Sequence, residues 1–287
     1  MNGEQFRIAR QNLAANRTRA LLTTLGIVIG VASITVVMSL GEGIREAVNQ
    51  QVGKLGGNVI VVKPGQADSQ AASSYSPYNT AITTTLTERD YNTAKKVKNV
   101  REIAPVMVLS GSVKDDANHS ANVPILATSE ALVDILDLKI RSGQFIDAET
   151  SRDTVVLGQQ LAIDIFGTDE AMGQSILVKG RLHTVIGTVK NTDTPINLSG
   201  IDLDRAAYVS LDDGKSFNQG IAQIQQLAIK VDDVNTIGNT AQAIHSAILK
   251  NHNGEQDFST LAGKEIADAS SSFFTSLVTV KIGRAHV

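Results

Sequence analysis

From Ala20 to Gly41 the chain reads ALLTTLGIVIGVASITVVMSLG without one charged residue: 14 residues are Ala, Val, Ile, Leu or Met, three are Gly and five are Ser or Thr. As a helix rising ~1.5 Å per residue, this stretch covers the ~30 Å hydrocarbon core of a bilayer. Three structures could hold it. A buried helix of a soluble core needs apolar neighbours on every side, which the rest of the chain does not offer. A cleaved signal peptide has a short basic start and ~7–15 apolar residues. Ser39-Leu40-Gly41 would pass as its cleavage site, but the apolar part is too long and 19 residues precede it. A retained membrane helix fits best. Lack of charge alone is not the criterion, because Ser69 to Thr87 is also uncharged; rich in Ser, Thr, Gln and Asn and interrupted by Pro77, it reads as a surface linker.

The flanks orient the helix. Arg7, Arg10, Arg17 and Arg19 precede it, whereas Glu42, Arg45 and Glu46 follow, so the positive-inside bias puts the N-terminus in the cytoplasm and the chain after about residue 42 outside. Phe6, Ala9 and Leu13 recur at helical spacing among arginines. That pattern suits a short helix in the inner headgroup region, a frayed basic tail being the alternative. Within the span Gly26 and Gly30 form a GxxxG face continued by Ser33 and Val37. Small residues at this spacing let a second helix approach closely in lipid.

The helical pattern continues to about Gln51 and breaks at Gly53, Gly56 and Gly57. Asn58 to Lys63 then reads as a buried strand closed by Pro64-Gly65. Thr87 is placed to cap a helix with Asp90 at its third position, and Val100 to Val113 is strand-like again. Near the end, Gln226 to Val231 reads as a strand. Val234, Ile237, Ala241, Ile244 and Ile248 mark one face of a helix, and Asp257 to Leu261 extends once more. Two β-α-β units separated by more than a hundred residues predict an α+β fold with a split sheet and an insertion. The insertion, about residues 112 to 212, carries strands at Val123–Ala127, Thr154–Leu157, Ser175–Lys179, His183–Val189 and Ala207–Ser210, so a small, mostly β subdomain is expected.

The chemistry suggested by the composition is sparse. A net charge of −3, from 26 basic and 29 acidic residues, removes the electrostatic case for nucleic-acid binding. The absence of cysteine excludes disulfides, thiol nucleophiles and Cys-ligated zinc. Gly214-Lys215-Ser216 lacks the first glycine of a P-loop, since Val209 stands there, and reads as a turn. Gly41-Glu42-Gly43 is not followed by glycine at Glu46, so it is no dinucleotide fingerprint. The histidines at 119, 183, 245, 252 and 286 form no His-x-x-x-His pair and read as surface residues; His245 and His252 sharing a helix face as a metal pair is the alternative. Asp115-Asp116, Asp202 with Asp204, Asp212-Asp213 and Asp232-Asp233 each abut a strand end or turn without a calcium-loop pattern, so solvated turns are expected. No catalytic, cofactor or metal site follows from the sequence.

The residues themselves resemble the MacB/FtsX-like family of ABC-transporter permeases. The matching stretches are Arg17 to Ala32 (RTRALLTTLGIVIGVA), Leu40 to Gly43, and Leu55 to Gly65 (LGGNVIVVKPG). Ser142 to Phe145, Val156 to Gly158, Ile165 to Gly167, Gly173 to Ile176 and Val185 to Gly187 follow in family order, so the resemblance covers about residues 6 to 280. Glu170-Ala171-Met172 stands where members often carry Asp-Pro-Val, and Leu126-Ala127-Thr128 replaces a more glycine-rich strand end; these departures blur the subfamily.

The resemblance implies four membrane helices per subunit with a large, porter-like extracytoplasmic domain between the first and second. It further implies a homodimer or paired permease in the cell membrane, driven by a cytoplasmic ABC ATPase that carries ATP and magnesium, with a possible periplasmic adaptor, working in export or extraction. The alternative is a single-pass or FtsX-like anchored module controlling a cell-wall enzyme. The expected organisation is a cytoplasmic segment 1–19, a membrane helix 20–41, an outer domain 42–268 and the start of a second membrane helix at 269–280. Residues 281–287 (KIGRAHV) break the apolar pattern and resemble the in-frame translation of a sequencing-library adapter, which points to a truncated gene.

Overall fold

The computed structural model describes residues 17–54, 58–65, 84–147, 152–190, 201–263 and 265–266. Arg7, Arg10, most of the basic segment, and the stretches 269–280 and 281–287 lie outside them. Helix α1 runs Arg17–Lys54, 38 residues, or ~57 Å at ~1.5 Å per residue. It therefore carries the apolar stretch and continues beyond it, through Gly53.

Strand β1 (Val59–Pro64) alternates cleanly: Ile60 and Val62 enter one apolar cluster and Val59 and Val61 another. Helix α2 (Glu88–Ala94) begins as its sequence requires. Asp90 accepts from the Thr87 backbone N–H at 2.9 Å and from the Thr87 hydroxyl at 2.7 Å, closing an exposed helix end that would otherwise leave donors unmet. Strand β2 (Val100–Lys114) is the longest in the chain's described residues. Strand β3 (Ser120–Thr128), helix α3 (Ala131–Leu136), strand β4 (Ile140–Gly143), strand β5 (Thr154–Gly158), helix α4 (Gln159–Phe166), strand β6 (Ser175–Val178) and strand β7 (Arg181–Val189) follow. Strand β8 (Ala207–Ser210), helix α5 (Leu211–Ser216), strand β9 (Gln226–Val231), helix α6 (Ile237–Asn251) and strand β10 (Phe258–Ala262) complete the fold.

Strands β10, β1, β9 and β2 form one antiparallel sheet in that order. Two βα units paired with the order fourth, first, third, second are the split βαβ arrangement. Helices α2 and α6 cover one face: Ala94, Ile244 and Ile248 pack with Ile60, Ile103 and Ile229. On the other face Val59, Val61, Ala104 and Ala228 meet α3 through Leu132 and Ile135.

The inserted part is a closed ring. β2 pairs with β3, β3 with β8, β8 with β5, β5 with β7, β7 with β6, and β6 returns to β2. Closure removes edges that would otherwise present unmet backbone groups. Its interior is filled by Val113, Ile125, Val155, Leu157, Ile176 and Val185, and α4 adds Leu161 and Ile165. The two halves meet within a strand, not at a loop: β2 pairs with β9 as far as Val106 and with β3 from Met107.

Several local expectations are corrected. Gly214-Lys215-Ser216 lies inside α5, not in a turn; a Cβ on Gly214 would sit 2.1 Å from the Ala127 Cβ, so the glycine lets the helix close on β3. Val234 is 47% exposed in a 3-10 turn ahead of α6 and does not join its buried face. Helices α3, α4 and α5 and strand β4 are additional to the elements read from the sequence.

Backbone crowding fixes how α4 leaves the barrel. A Cβ on Gly158, at the N-terminus of α4, would lie 2.3 Å from the Asp204 carbonyl oxygen and 2.5 Å from that of Leu203. Both are main-chain atoms of a 3-10 turn pinned by Asp202, whose carboxylate accepts from the N–H of Asp204 and Arg205. Gly158→Ala is expected to destabilise the outer domain by about 2 kcal/mol, lowering its melting temperature by roughly 4–8 °C. An unchanged melt would show that this turn yields freely.

Candidate functional site

Helix α1 presents Leu21, Leu22, Leu25, Ile27, Val28, Ile29, Val31, Ile34, Val36 and Met38 as exposed side chains, and they point in every direction around the axis. At about 1.5–3 kcal/mol per large side chain, leaving ten of them about half or more in water costs on the order of 10–20 kcal/mol. That matches or exceeds the ~5–15 kcal/mol net stability of a whole domain, so this surface requires lipid or protein around it. Arg17–Ser39 is long and apolar enough to cross a membrane. Three hydroxyls inside the stretch are satisfied within the helix: Thr23 donates to the Arg19 carbonyl at 2.9 Å, Ser33 to Ile29 at 2.8 Å and Thr35 to Val31 at 2.9 Å. They add no unmet polar group in a medium without water.

Gly26, Gly30 and Ser33 fall on one face of α1, separated by four and three residues. Nothing lies within 4 Å of a Cβ built on Gly26 or Gly30, so the face is open in the single chain. Arg17 and Arg19 sit exposed in the first turn.

The helix feeds directly into the sheet: α1 ends at Lys54 and β1 starts at Val59, between β10 and β9. Ile60 is opposite Ala262, so the start of β1 and the end of β10 lie side by side at one end of the sheet. The outer domain is thereby entered and left at neighbouring strands.

The polar groups of the outer domain depart from what the sequence predicts. His252 is half-buried, its side chain only 8% exposed, between two carboxylates: Nδ1 lies 2.6 Å from Asp257 Oδ1 and Nε2 3.1 Å from Asp90 Oδ2. Asn251 donates to the other Asp90 oxygen at 2.7 Å. Burial alone would lower the His252 pKa, but the hydrogen bonds to Asp90 and Asp257 raise it above its ordinary value. Burial would raise Asp90, yet hydrogen bonds from Asn251, Thr87 and His252 hold it below. With both ring nitrogens engaged, the imidazole offers no free nitrogen as a base; the cluster staples α2, α6 and β10.

His245 lies against Phe258 with ring centroids 4.9 Å apart at 41°, beside an open cleft of about 390 Å³ between α6 and β10. His119 is exposed and bonded to Asp115, which is itself buried. His183 and Asp213 are both buried, against the surface and solvated-turn readings. Asp202 and Asp233 do cap turns as expected. Burial of these groups depends on partners far away in sequence, which no local pattern reports.

A family model described as the MacB-like periplasmic core domain matches residues 20–247. A macrolide export ATP-binding/permease protein MacB of Wolinella succinogenes is 29% identical over 258 residues, covering 89% of this chain and 38% of that protein. A protein of the same description from Rhodospirillum rubrum is 30% identical over 261 residues, with the same coverages. The chain thus spans about two fifths of the length of these relatives. Among solved structures, the periplasmic region of MacB from Actinobacillus actinomycetemcomitans superposes with a TM-score of 0.59 at 19% identity, covering 79% of this chain and 92% of that one. The extracellular domain of the noncanonic ABC-type transporter YknZ from Gram-positive bacteria gives 0.55 at 17%, covering 71% and 100%.

The His252 staple carries a pH signature. A group whose folded pKa is raised stabilises fully below its unfolded value, about 6.5, and that contribution is lost as pH rises through the folded pKa. The depressed Asp90 contributes above about pH 4 and loses its contribution as pH falls through its own folded pKa. The outer domain is expected to be more stable near pH 5.5 than near pH 8.5, and His252→Gln to remove most of that difference at a cost of about 1–3 kcal/mol. Denaturant unfolding at the two pH values measures both; equal pH dependence in the variant contradicts the assignment.

Proposed function

The chain belongs to the MacB-like periplasmic core domain family, and on that premise we propose that it is the permease part of an ABC exporter. In this reading a cytoplasmic ABC ATPase binds ATP and magnesium, and the chain contributes no bond chemistry. Nucleotide-driven movement of the membrane helices is passed to the outer domain, which drives efflux or extraction of substrate. The N-terminus with Arg7, Arg10, Arg17 and Arg19 lies in the cytoplasm of the cell membrane, and the sheet and barrel lie outside, where a periplasmic adaptor can dock.

The observation that carries this reading is the join between α1 and the sheet. A helix that is apolar on all faces runs on past its membrane stretch to Lys54, and β1, held on both sides by hydrogen-bonded strands, begins at Val59. Displacement of α1 along or across the membrane therefore pulls on an inner strand of the outer domain. The opposite end of that path, β10, leaves the sheet alongside, which suits a domain strung between two membrane helices. A homodimer or paired permease forms through the face of Gly26, Gly30 and Ser33, where small residues allow close backbone approach.

Because the chain has no cysteine, a single Met38→Cys at the exposed outer end of the span is a clean reporter. In membranes containing the complete permease and its ATPase, crosslinking between two copies should change on adding ATP with magnesium. Gly30→Leu should reduce it several-fold by steric exclusion. Crosslinking that ignores both nucleotide and Gly30→Leu would favour the other reading, an FtsX-like anchored module that regulates a cell-wall enzyme.

A further inference from the structure

At one end of the barrel three potential ligands converge from three elements. Asp153 immediately precedes β5, His183 lies on β7 and Asp213 on α5, and their ligand atoms all fall within 4.8 Å of one another. The parallel β5–β7 ladder sets the first two side by side, with the Thr184 N–H donating to the Asp153 carbonyl at 2.9 Å. His183 points into the barrel and its side chain is 1% exposed; that of Asp213 is 9% exposed.

Their hydrogen bonding is incomplete in a specific way. His183 Nδ1 is 3.0 Å from the Arg181 carbonyl oxygen. A carbonyl only accepts, so Nδ1 carries a hydrogen, and Nε2, when that ring is neutral, presents its lone pair. That nitrogen is buried without a hydrogen-bond partner, and so is Asp213 Oδ2. The two atoms face each other at 3.9 Å, too far for a hydrogen bond. Two buried acceptors directed at one another are costly unless something positive lies between them. A ring held by Nδ1–H to a backbone carbonyl is also the arrangement that orients a metal-binding histidine. The Arg181 guanidinium is occupied elsewhere, bonded to the Ser216 hydroxyl and set over the Phe217 ring.

We propose that Asp153, His183 and Asp213 bind a divalent cation of the zinc type. One imidazole and two carboxylates suit Zn²⁺, and the two carboxylates balance its charge. Bonds of ~2.0–2.2 Å in a tetrahedral site place ligand atoms ~3.3–3.6 Å apart, so the facing pair needs to close by roughly half an ångström. Asp153 is exposed, giving the ion a path from solvent and leaving a coordination position open to water. The ion would tie β5, β7 and α5 together and fix the end of the barrel.

The test uses the full chain, purified in detergent, stripped with a chelator and titrated with ZnCl2 alone, with MgCl2 as comparison. One zinc per chain is expected, with tighter binding than magnesium. Asp213→Asn and His183→Ala should abolish that binding, while His252→Gln, remote from the site, should retain it. Asp153→Asn, at an exposed position, should weaken it on the order of tenfold or more without altering the circular dichroism spectrum. Co²⁺ in place of zinc should give visible absorption bands of a low-coordinate nitrogen and oxygen site, lost in Asp153→Asn. No stoichiometric zinc binding by the parent chain, or binding unaffected by Asp153→Asn and Asp213→Asn, overturns the proposal.

Discussion

Strand β2 belongs to both halves of the outer domain. Its first part hydrogen-bonds β9 in the split sheet and its second part hydrogen-bonds β3 and β6 in the barrel. The backbone pairing passes from one to the other between Val106 and Met107 with no intervening loop. Bending the halves apart there would break ladder bonds in a buried strand, where each unmet group costs about 1–3 kcal/mol. A shared strand thus joins the sheet that follows α1 to the barrel. The apolar cluster of Val59, Val61, Leu132 and Ile135 also holds Tyr208, edge-on to Phe145 at 5.4 Å, and so includes residues of both halves. Tyr208 itself is fully buried, and its hydroxyl donates to the Leu203 carbonyl at 2.9 Å.

This continuity is what the proposed mechanical coupling would use. Motion of α1 would reach β1 after a few residues, cross the single strand β9 to β2 and arrive in the barrel without traversing a long loop. The buried polar sites fit the same pattern: His252 ties two helices to an edge strand, and the Asp153, His183 and Asp213 group gathers elements at the barrel end.

The sequence makes some parts of this architecture legible and hides others. The long apolar helix α1 is readable because its signal is compositional and uninterrupted from Ala20 to Gly41. The β-α-β units are readable because Ile60 with Val62, and Ile244 with Ile248, repeat at the periods of strand and helix. The Thr87 and Asp90 cap follows from two residues alone. Helices α3 and α5 are six residues each and α4 is eight, too few turns for a helical period to emerge. Closure of the barrel depends on β6 returning to β2, Val113 opposite Val178, a pairing across more than sixty residues. The histidines mislead for the same reason. His183 stands between exposed Leu182 and Thr184 in a strand and looks solvated, and only the arrival of α5 buries it beside Asp213.

The central claim is that α1 crosses the membrane and holds the sheet and barrel on the outer side. Single cysteines at Thr18, Glu42 and Asp116, introduced into a chain that has none, report this directly through labelling by a membrane-impermeant maleimide in spheroplasts. The account predicts that Glu42→Cys and Asp116→Cys label in intact spheroplasts, whereas Thr18→Cys labels only after permeabilisation. Labelling of Thr18→Cys with protection of Asp116→Cys, or equal labelling of all three, would contradict it.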